Sequence, residues 1–187
     1  MNDFSYLNKR IFALTCPIDE YRKVRFNGIT LFSFGAMCAP INLIKEVTGE
    51  EKIISSICSL SKKTGGTVIV GCELTLGSNR KLSSVVAHAG TLCDISDSCT
   101  AVAPFVASSS VKVYSGGDFS FALLVGNDVK SRLVVKKTAP RCDIIIANCH
   151  ENDTDDERLV RVLSDETDTP ILYHSPSLTF FHTPNLN

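Results

Sequence analysis

Three residues that could take part in catalysis follow apolar segments of the sequence. Cys38 comes shortly after "ITLFSF", Glu73 ends "TVIVGCE", and Asp128 comes shortly after "FALLVG". A cysteine thiol can act as a nucleophile when a neighbouring carboxylate takes up its proton. Such apolar segments are typical of buried strands, whose carboxyl ends form ligand sites in α/β proteins. Cys38 with Glu73 or Asp128 is therefore one candidate nucleophilic site, although a buried thiol without an adjacent base is usually inert.

The cysteines do not have the spacing of a metal site or of a disulfide framework. The chain has eight cysteines and no C-x-x-C pair, and most of the cysteines lie within apolar segments. The densest grouping of possible ligands, His88 with Cys93 and Cys99, is more simply a hairpin that carries core cysteines. We therefore expect reduced cysteines that pack as small apolar side chains, with no bound metal and no cofactor.

Length, composition and charge limit the possible architecture and partners. A chain of 187 residues with 44% hydrophobic and 21% charged residues is typical of one globular domain, here covering residues 1–187. The net charge of −1 provides no basic surface, so we expect neither nucleic acid nor a membrane surface as a partner. The N-terminal segment lacks the apolar core of a signal peptide, and no later segment is long enough to span a membrane. These features predict a cytoplasmic protein.

The apolar pattern predicts a mixed α/β fold. Thr48 and Glu51 have the spacing of a capping box for a helix that Gly65 would end. The segment from Thr67 to about Ser96 contains three strand-like runs joined by the short turns "GSNR" and "HAG", which predicts a β-meander. Further strands are predicted at "RIFALT", "ITLFSF", "VKVYS", "FSFALLVG", "CDIIIAN" and "PILYHS", and further helices or helical turns at "PIDEYRKVRF", at 128–137 and around "DDERLVRVL".

The order of these segments resembles the nitrilase (carbon-nitrogen hydrolase) superfamily. The segments "ITLFSF", "TVIVGCE", "LSSVVAHAG", "ALLVGND" and "CDIIIAN" occur in the order that this family uses, and the resemblance covers about residues 9 to 175. It implies an α-β-β-α sandwich with mixed sheets, truncated at the C-terminus because the chain ends in "LTFFHTPNLN" where the family continues with more strands. The shortened sheet would then be covered either by this tail, with Phe180 and Phe181 as candidates, or by another subunit.

The resemblance also implies a catalytic glutamate, lysine and cysteine, and this sequence departs from all three. Phe34 stands at the glutamate position, Ser98 at the lysine position within a residue or two, and Gly126 at the cysteine position. These side chains cannot transfer a proton, stabilise an oxyanion by a positive charge or attack a carbonyl carbon. The leading hypothesis is a nitrilase-like protein that is not catalytic and has a small-molecule-binding or assembly role. Gly126 would then permit a tight turn, with Asp128 capping the next helix.

Two other hypotheses stay open at this point. One is an active amide or nitrile hydrolase that uses Cys38 with Glu73 or Asp128, and the other is an unrelated α/β domain. The resemblance further implies a homodimer formed through the helices that follow the strands at 121–126 and 142–148. The helix "DVKSRLVVKK" has a wide apolar band, at Val129 and at 133–135, that could face a second subunit or pack within its own core.

Overall fold

The computed structural model describes residues 2–21, 28–37, 39–116 and 118–184. Their strands form two sheets. The first sheet contains β1 (Asn2–Tyr6), β2 (Lys9–Leu14), β3 (Ile29–Phe32), β4 (Ile41–Asn42), β5 (Thr67–Leu76), β6 (Asn79–His88) and β7 (Thr91–Asp97). The second sheet contains β8 (Lys112–Gly116), β9 (Phe119–Val125), β10 (Ile144–Asn148), β11 (Ile171–His174) and β12 (Thr179–His182).

Both sheets combine parallel and antiparallel pairs, as the sequence predicts. The first sheet has the order β1-β2-β3-β5-β6-β7, in which β2, β3 and β5 are parallel and β5, β6 and β7 form the antiparallel meander, while β4 pairs with β5. The second sheet has the order β12-β11-β10-β9-β8, with parallel β9, β10 and β11 between antiparallel edge strands. Because β9 and β10 are buried on both faces, residues 121–125 and 144–147 within them are continuous apolar runs.

Helices cover the outer face of each sheet, which gives four layers. The helices α1 (Leu43–Thr48) and α2 (Ile53–Thr64) precede β5, and Ile57 of α2 packs with Phe32, Val68 and Val70 on the first sheet. The helices α3 (Arg132–Thr138) and α4 (Asp156–Thr167) cover the second sheet. Residues from both sheets form the core between them: Ile11, Ile29, Leu31, Phe34, Ile69, Leu82, Val86, Phe119, Phe121, Leu123, Val125, Ile144, Ile146 and Leu172. The predicted α-β-β-α sandwich is therefore confirmed.

The capping box predicted at Thr48 and Glu51 is wrong. Thr48 is the last residue of α1, and Gly49 ends that helix with a φ of 80°. The next helix, α2, is capped from outside, because the Glu46 carboxylate accepts hydrogen bonds from the backbone N–H groups of Ile53 and Ile54 at 2.6 and 3.2 Å. A carboxylate in this position satisfies free N–H groups and interacts favourably with the positive end of the helix. Sequence spacing alone does not reveal a cap that comes from a preceding helix.

The segment "PIDEYRKVRF" forms only one turn of 3-10 helix within the described residues. This turn comprises Ile18–Glu20, and residues 22–27 of the predicted segment lie outside the described part of the chain. No helix of the described residues is long and apolar enough to cross a membrane.

The C-terminal tail covers the second sheet, as one of the two alternatives predicts. Its strand β12 pairs antiparallel with β11, so Phe180 and Phe181 point to opposite faces. Phe180 stacks on Tyr173 at 5.1 Å between ring centroids on the helix-covered face. Phe181 packs against Phe4 and Tyr6, each at 5.9 Å between centroids, at the margin of the core between the sheets. The tail thus extends two separate apolar cores.

A buried histidine joins the two sheets at the carboxyl ends of their parallel strands. His174 ends β11, and its Nε2 lies 3.0 Å from the carbonyl oxygen of Leu14 at the end of β2. Its Nδ1 lies 2.8 Å from the hydroxyl of Thr179. This geometry suits a neutral ring that donates to Leu14 and accepts from Thr179. Burial lowers the pKa of His174 to about 4, with the Leu14 hydrogen bond opposing the shift.

We expect His174 to make the protein less stable as the pH falls. In the unfolded chain, the imidazole of His174 has a pKa near 6.5 and takes up a proton below that pH. In the folded protein, the same ring stays neutral down to about pH 4. The stability contribution is therefore present above about pH 6.5 and is lost towards pH 4, by about 3 kcal/mol in total. Urea denaturation at several pH values would measure it, with His174→Gln as the comparison. Parallel pH profiles for the two proteins would contradict this prediction.

Candidate functional site

The carboxyl ends of both sets of parallel strands lie at one end of the sandwich. Asn148, the last residue of β10, donates from Nδ2 to the carbonyl oxygen of Phe32 at 3.1 Å, and Phe32 ends β3 in the other sheet. Gly126 follows β9 in the second sheet, and its N–H donates to the carbonyl oxygen of Asn148 at 2.9 Å. The end of an α/β sheet is where ligand sites commonly form, so this end of the sandwich is the candidate functional site.

Gly126 lies in a tight turn between β9 and the 3-10 turn Asp128–Lys130. Its φ of 64° is in the left-handed region that favours glycine. A Cβ atom added at Gly126 would lie 3.1 Å from Cδ1 of Leu82 and 3.5 Å from Oγ of Ser98. The structure therefore places Ser98 beside Gly126, and it fills the space in front of Gly126 with the leucine side chain.

Ser98 and Asp128 form a buried polar cluster that anchors a loop. The Asp128 carboxylate is 1% exposed and accepts a hydrogen bond of 2.8 Å from the Ser98 hydroxyl. It also accepts from the backbone N–H groups of Cys99, Thr100 and Val125 and from the Thr100 hydroxyl. Asp128 thus ties residues 98–100 to the end of β9.

The predicted role of Asp128 as a helix N-cap is wrong. The N-terminal cap position of its own 3-10 turn is Asn127, and that of α3 is Ser131. The buried Asp128 carboxylate already accepts hydrogen bonds from five donors, three backbone N–H groups and two hydroxyls. The geometry favours a structural role for Asp128 over the role of a general base.

Phe34 is buried among backbone and aromatic groups. Its side chain is 3% exposed, and its ring lies edge-on to the His150 ring at 5.3 Å between centroids. A Cβ added at Gly71 would lie 2.7 Å from Cδ2 of Phe34 and 2.9 Å from Nδ2 of Asn148. Gly71 is therefore the residue that lets Phe34 approach β5, and Phe34 brings an apolar ring to this end of the sandwich.

A cleft of about 320 Å³ opens beside Phe34. Its polar groups are Glu73 and His150, whose Oε1 and Nε2 atoms are 3.8 Å apart. Glu73 also forms an ion pair of 2.6 Å with Arg80. The described residues that line the cleft are Phe34, Gly35, Met37, Ala39, Pro40, Cys72, Glu73, His150 and Pro176. Cys38 lies outside the described residues, although its neighbours Met37 and Ala39 line this cleft.

Sequence reasoning missed His150. The signal that could have identified it is its position two residues after β10, because the carboxyl end of a parallel strand is where such sites form. His150 is in contact with two aromatic rings, those of Phe34 and Phe105, the latter at 6.1 Å between centroids. Its Nδ1 lies 3.5 Å from a carboxylate oxygen of Glu151.

Burial keeps several thiols protonated near neutral pH. It raises the pKa of Cys72, at the cleft, to about 12 and that of Cys99 to about 11. It also raises the pKa of Cys149, which is completely buried. The seven cysteines that the structure describes are free thiols. No group of three or more His, Cys, Asp or Glu residues in the described part of the chain could hold a metal ion.

Solved structures with the same fold belong to the nitrilase superfamily. An amidase from Nesterenkonia sp. is 16% identical with a TM-score of 0.66, and the match covers 83% of this chain and 69% of that one. A cysteine-to-alanine mutant of the Nesterenkonia AN1 amidase is 14% identical with a TM-score of 0.64, covering 79% of this chain and 62% of that one. A double mutant of the same AN1 amidase, in complex with acrylamide, is 14% identical with a TM-score of 0.67. That match covers 83% of this chain and 70% of the amidase chain.

These comparisons establish the fold. This chain spans 62 to 70% of the length of the amidase chains that it matches. No family model matches the sequence, and no curated protein matches it significantly. The predicted resemblance to the nitrilase superfamily is confirmed at the level of the fold.

Proposed function

We propose that this chain is a nitrilase-like protein without Cys-Glu-Lys catalysis, which binds a small molecule or serves in an assembly. The observation that carries this proposal is the packing at Gly126. The position where the resemblance places the nucleophile has no side chain, and Leu82 Cδ1 lies 3.1 Å from where a Cβ would be. Replacing the nucleophile by a packed apolar group removes the covalent step on which the chemistry of this family depends.

The residues at the other two positions support the same proposal. Phe34 is an apolar ring where a proton-transferring carboxylate would be needed, and Ser98 is a neutral hydroxyl already bonded to Asp128. Neither can take a proton from a thiol or stabilise an oxyanion by a positive charge. The buried thiols nearby, at Cys72 and Cys149, have raised pKa values and few thiolates near neutral pH.

The cleft beside Phe34 is the proposed small-molecule site. It joins an aromatic wall at Phe34 with a carboxylate at Glu73 and an imidazole at His150. A concave surface with an apolar wall and a few convergent polar groups is typical of small-molecule sites. We retain a cytoplasmic location as part of this proposal, because cysteines are kept reduced in that compartment.

A second candidate function is an amide or nitrile hydrolase that uses this cleft. The observation that favours it is the placement of Glu73 and His150 at the cleft whose wall includes Met37 and Ala39, the neighbours of Cys38. In this alternative Cys38 is the nucleophile and Glu73 or His150 takes up its proton.

An assay of amide turnover separates the two candidates. We expect no hydrolysis of butyramide, acrylamide or simple nitriles above the rate of the uncatalysed reaction, and no change in Cys38→Ala. A Nesterenkonia amidase serves as the positive control, because its solved structures include complexes with butyramide and acrylamide. Turnover that Cys38→Ala abolishes while the fold is retained would establish the hydrolase instead.

We further propose a homodimer formed through α3 and α4. Val129 and Val135 of the apolar band are completely buried in the chain's own core, so they cannot face a partner. Leu133 on α3 is 64% exposed and Val162 on α4 is 47% exposed, and these are the apolar groups left for a two-fold contact.

Light scattering coupled to size exclusion would test the dimer. We expect twice the chain mass of 20.3 kDa at micromolar concentration, and a return to the single mass in Leu133→Lys. Val47→Lys is the matched control, since Val47 is 88% exposed on α1 and has no place in the proposed contact. A mass of 20.3 kDa for the unchanged protein would contradict the proposal.

A further inference from the structure

A second and larger cavity, of about 590 Å³, lies between the two sheets. Its walls come from the starts of β3 and β5, the end of β6, and the strands β8 and β9. On β5, Thr67 lines this cavity and Cys72 lines the cleft described above. Five residues of extended strand separate them by about 17 Å. The cavity is therefore at the opposite end of the sandwich from the proposed functional cleft.

Gly116, an exposed glycine at the end of β8, borders this cavity. Side chains alternate along a strand, so Gly116 is on the same face of β8 as Tyr114, which packs on the core between the sheets. A Cβ added at Gly116 would have no atom within 4 Å, and its backbone does not have a positive φ. A larger residue would thus fit the backbone, and its side chain would occupy open space at the border of the cavity.

The walls are aromatic and apolar. Tyr114 and Phe121 stack with 5.0 Å between ring centroids, and Phe119 lies 6.3 Å from Phe121. Ile29 and Val86, which are 5% and 1% exposed, complete the apolar wall. The cavity volume lies within the range of small-molecule sites, and these walls suit a planar hydrocarbon ring.

Among the described residues, the polar groups of the lining include one cation, Lys9. Lys9 lines the cavity, and its Nζ is 3.6 Å from a carboxylate oxygen of Asp118, a side chain that is 91% exposed. A contact with such an exposed partner is weak and is easily exchanged for another carboxylate. The Thr67 hydroxyl, also in the lining, lies 3.0 Å from Nδ1 of His88.

We propose that this cavity binds an aromatic carboxylate. The ring lies against Tyr114, Phe119 and Phe121, and the carboxylate is directed to the ammonium group of Lys9. This binding site is separate from the proposed functional cleft and does not depend on whether that cleft is catalytic.

Titration with 2-naphthoate, followed by its fluorescence, tests the proposal, because the protein contains no tryptophan that would emit in the same range. The neutral analogue 2-naphthalenemethanol measures the contribution of the ring alone. We expect both to bind, and Gly116→Leu to weaken both by at least about tenfold by filling the cavity. We expect Lys9→Gln to weaken only 2-naphthoate, by about threefold. Lys112→Gln is the matched control, because Lys112 is an exposed cation on β8 that does not line the cavity.

Protection of Cys93 provides a test that needs no substitution in the cavity wall. Cys93 is exposed and lines this cavity, so bound 2-naphthoate should slow its alkylation by iodoacetamide, as measured by peptide mass spectrometry. Alkylation of Cys16, which lies outside this wall, should not change. The proposal is overturned if neither compound binds at roughly 1 mM. It is also overturned if Gly116→Leu binds 2-naphthoate as tightly as the unchanged protein does and bound 2-naphthoate leaves the rate of Cys93 alkylation unchanged.

Discussion

Gly71→Ala is expected to lower the free energy of unfolding by about 3 kcal/mol. The added methyl group would lie 2.7 Å from Cδ2 of Phe34 and 2.9 Å from its backbone nitrogen. A flexible side chain could move away, but the backbone nitrogen cannot move without displacing the segment after β3. Urea denaturation, monitored by circular dichroism, would measure the loss.

Gly116→Ala is the matched control for this prediction. Gly116 is also a strand glycine without a positive φ, but the added methyl group would have no atom within 4 Å. We expect a change within about 0.5 kcal/mol for this control. Phe34→Leu combined with Gly71→Ala should recover part of the loss, because the contact with the Phe34 ring, one of three close contacts that include Asn148 Nδ2, disappears. Equal stability of Gly71→Ala and Gly116→Ala would show that Phe34 is not packed against β5 as described.

The second large effect is expected at the turn after β9. Gly126→Ala should lower the free energy of unfolding by about 2 kcal/mol, since alanine is strained at positive φ and its methyl group would press on Leu82. Gly77→Ala separates these two causes, because Gly77 has a φ of 60° and no atom within 4 Å of an added Cβ. Chemical denaturation of both variants would give the difference that is due to Leu82.

Removing the leucine branch should relieve the steric part of this loss. In a protein that already carries Leu82→Val, we expect Gly126→Ala to lower the free energy of unfolding by no more than Gly77→Ala does. If Gly126→Ala and Gly77→Ala lower the free energy of unfolding by the same amount while Leu82 is kept, Leu82 does not fill the space in front of Gly126. That result would weaken the proposal that the position of the nucleophile has become part of the core.

The sequence predicts those parts of the fold that depend on local patterns. The run at 121–125 is apolar at every position because β9 is buried on both faces, and the short turns at Gly77 and Gly90 mark the meander directly. The sequence also suggests Phe180 and Phe181 as cover for the second sheet. Because adjacent residues on a strand point to opposite faces, these two phenylalanines pack against two different cores. Periodicity and composition are sufficient for such features.

Features that depend on long-range contacts could not be predicted from the sequence. The role of Leu82 follows from the approach of β6 to the turn at Gly126, and the low pKa of His174 follows from burial between two sheets. The cap of α2 by Glu46 depends on the angle between two helices. In each case the partner is distant in the chain or its direction is set by tertiary packing, and no spacing rule describes it.

The packing at the carboxyl end of the sandwich supports the proposed absence of Cys-Glu-Lys catalysis. A nitrilase-type site requires open space between the nucleophile and its acid-base partner for a substrate carbon. Here Leu82 and Phe34 belong to the continuous core between the sheets, so that space contributes to stability. The Asp128 cluster then holds the surrounding loop without any need for a substrate.

The most direct test of the proposed absence of cysteine catalysis is intact-protein mass spectrometry after incubation with fluoroacetamide. In solved structures of the Nesterenkonia amidase with its glutamate replaced, the acetamide moiety of this compound is covalently added at the active-site cysteine. That amidase is the positive control. For this chain at neutral pH we predict no acetamide adduct beyond the level of a denatured-protein control alkylated under the same conditions. A rapid, stoichiometric adduct on one cysteine, lost in Cys38→Ala, would contradict the account.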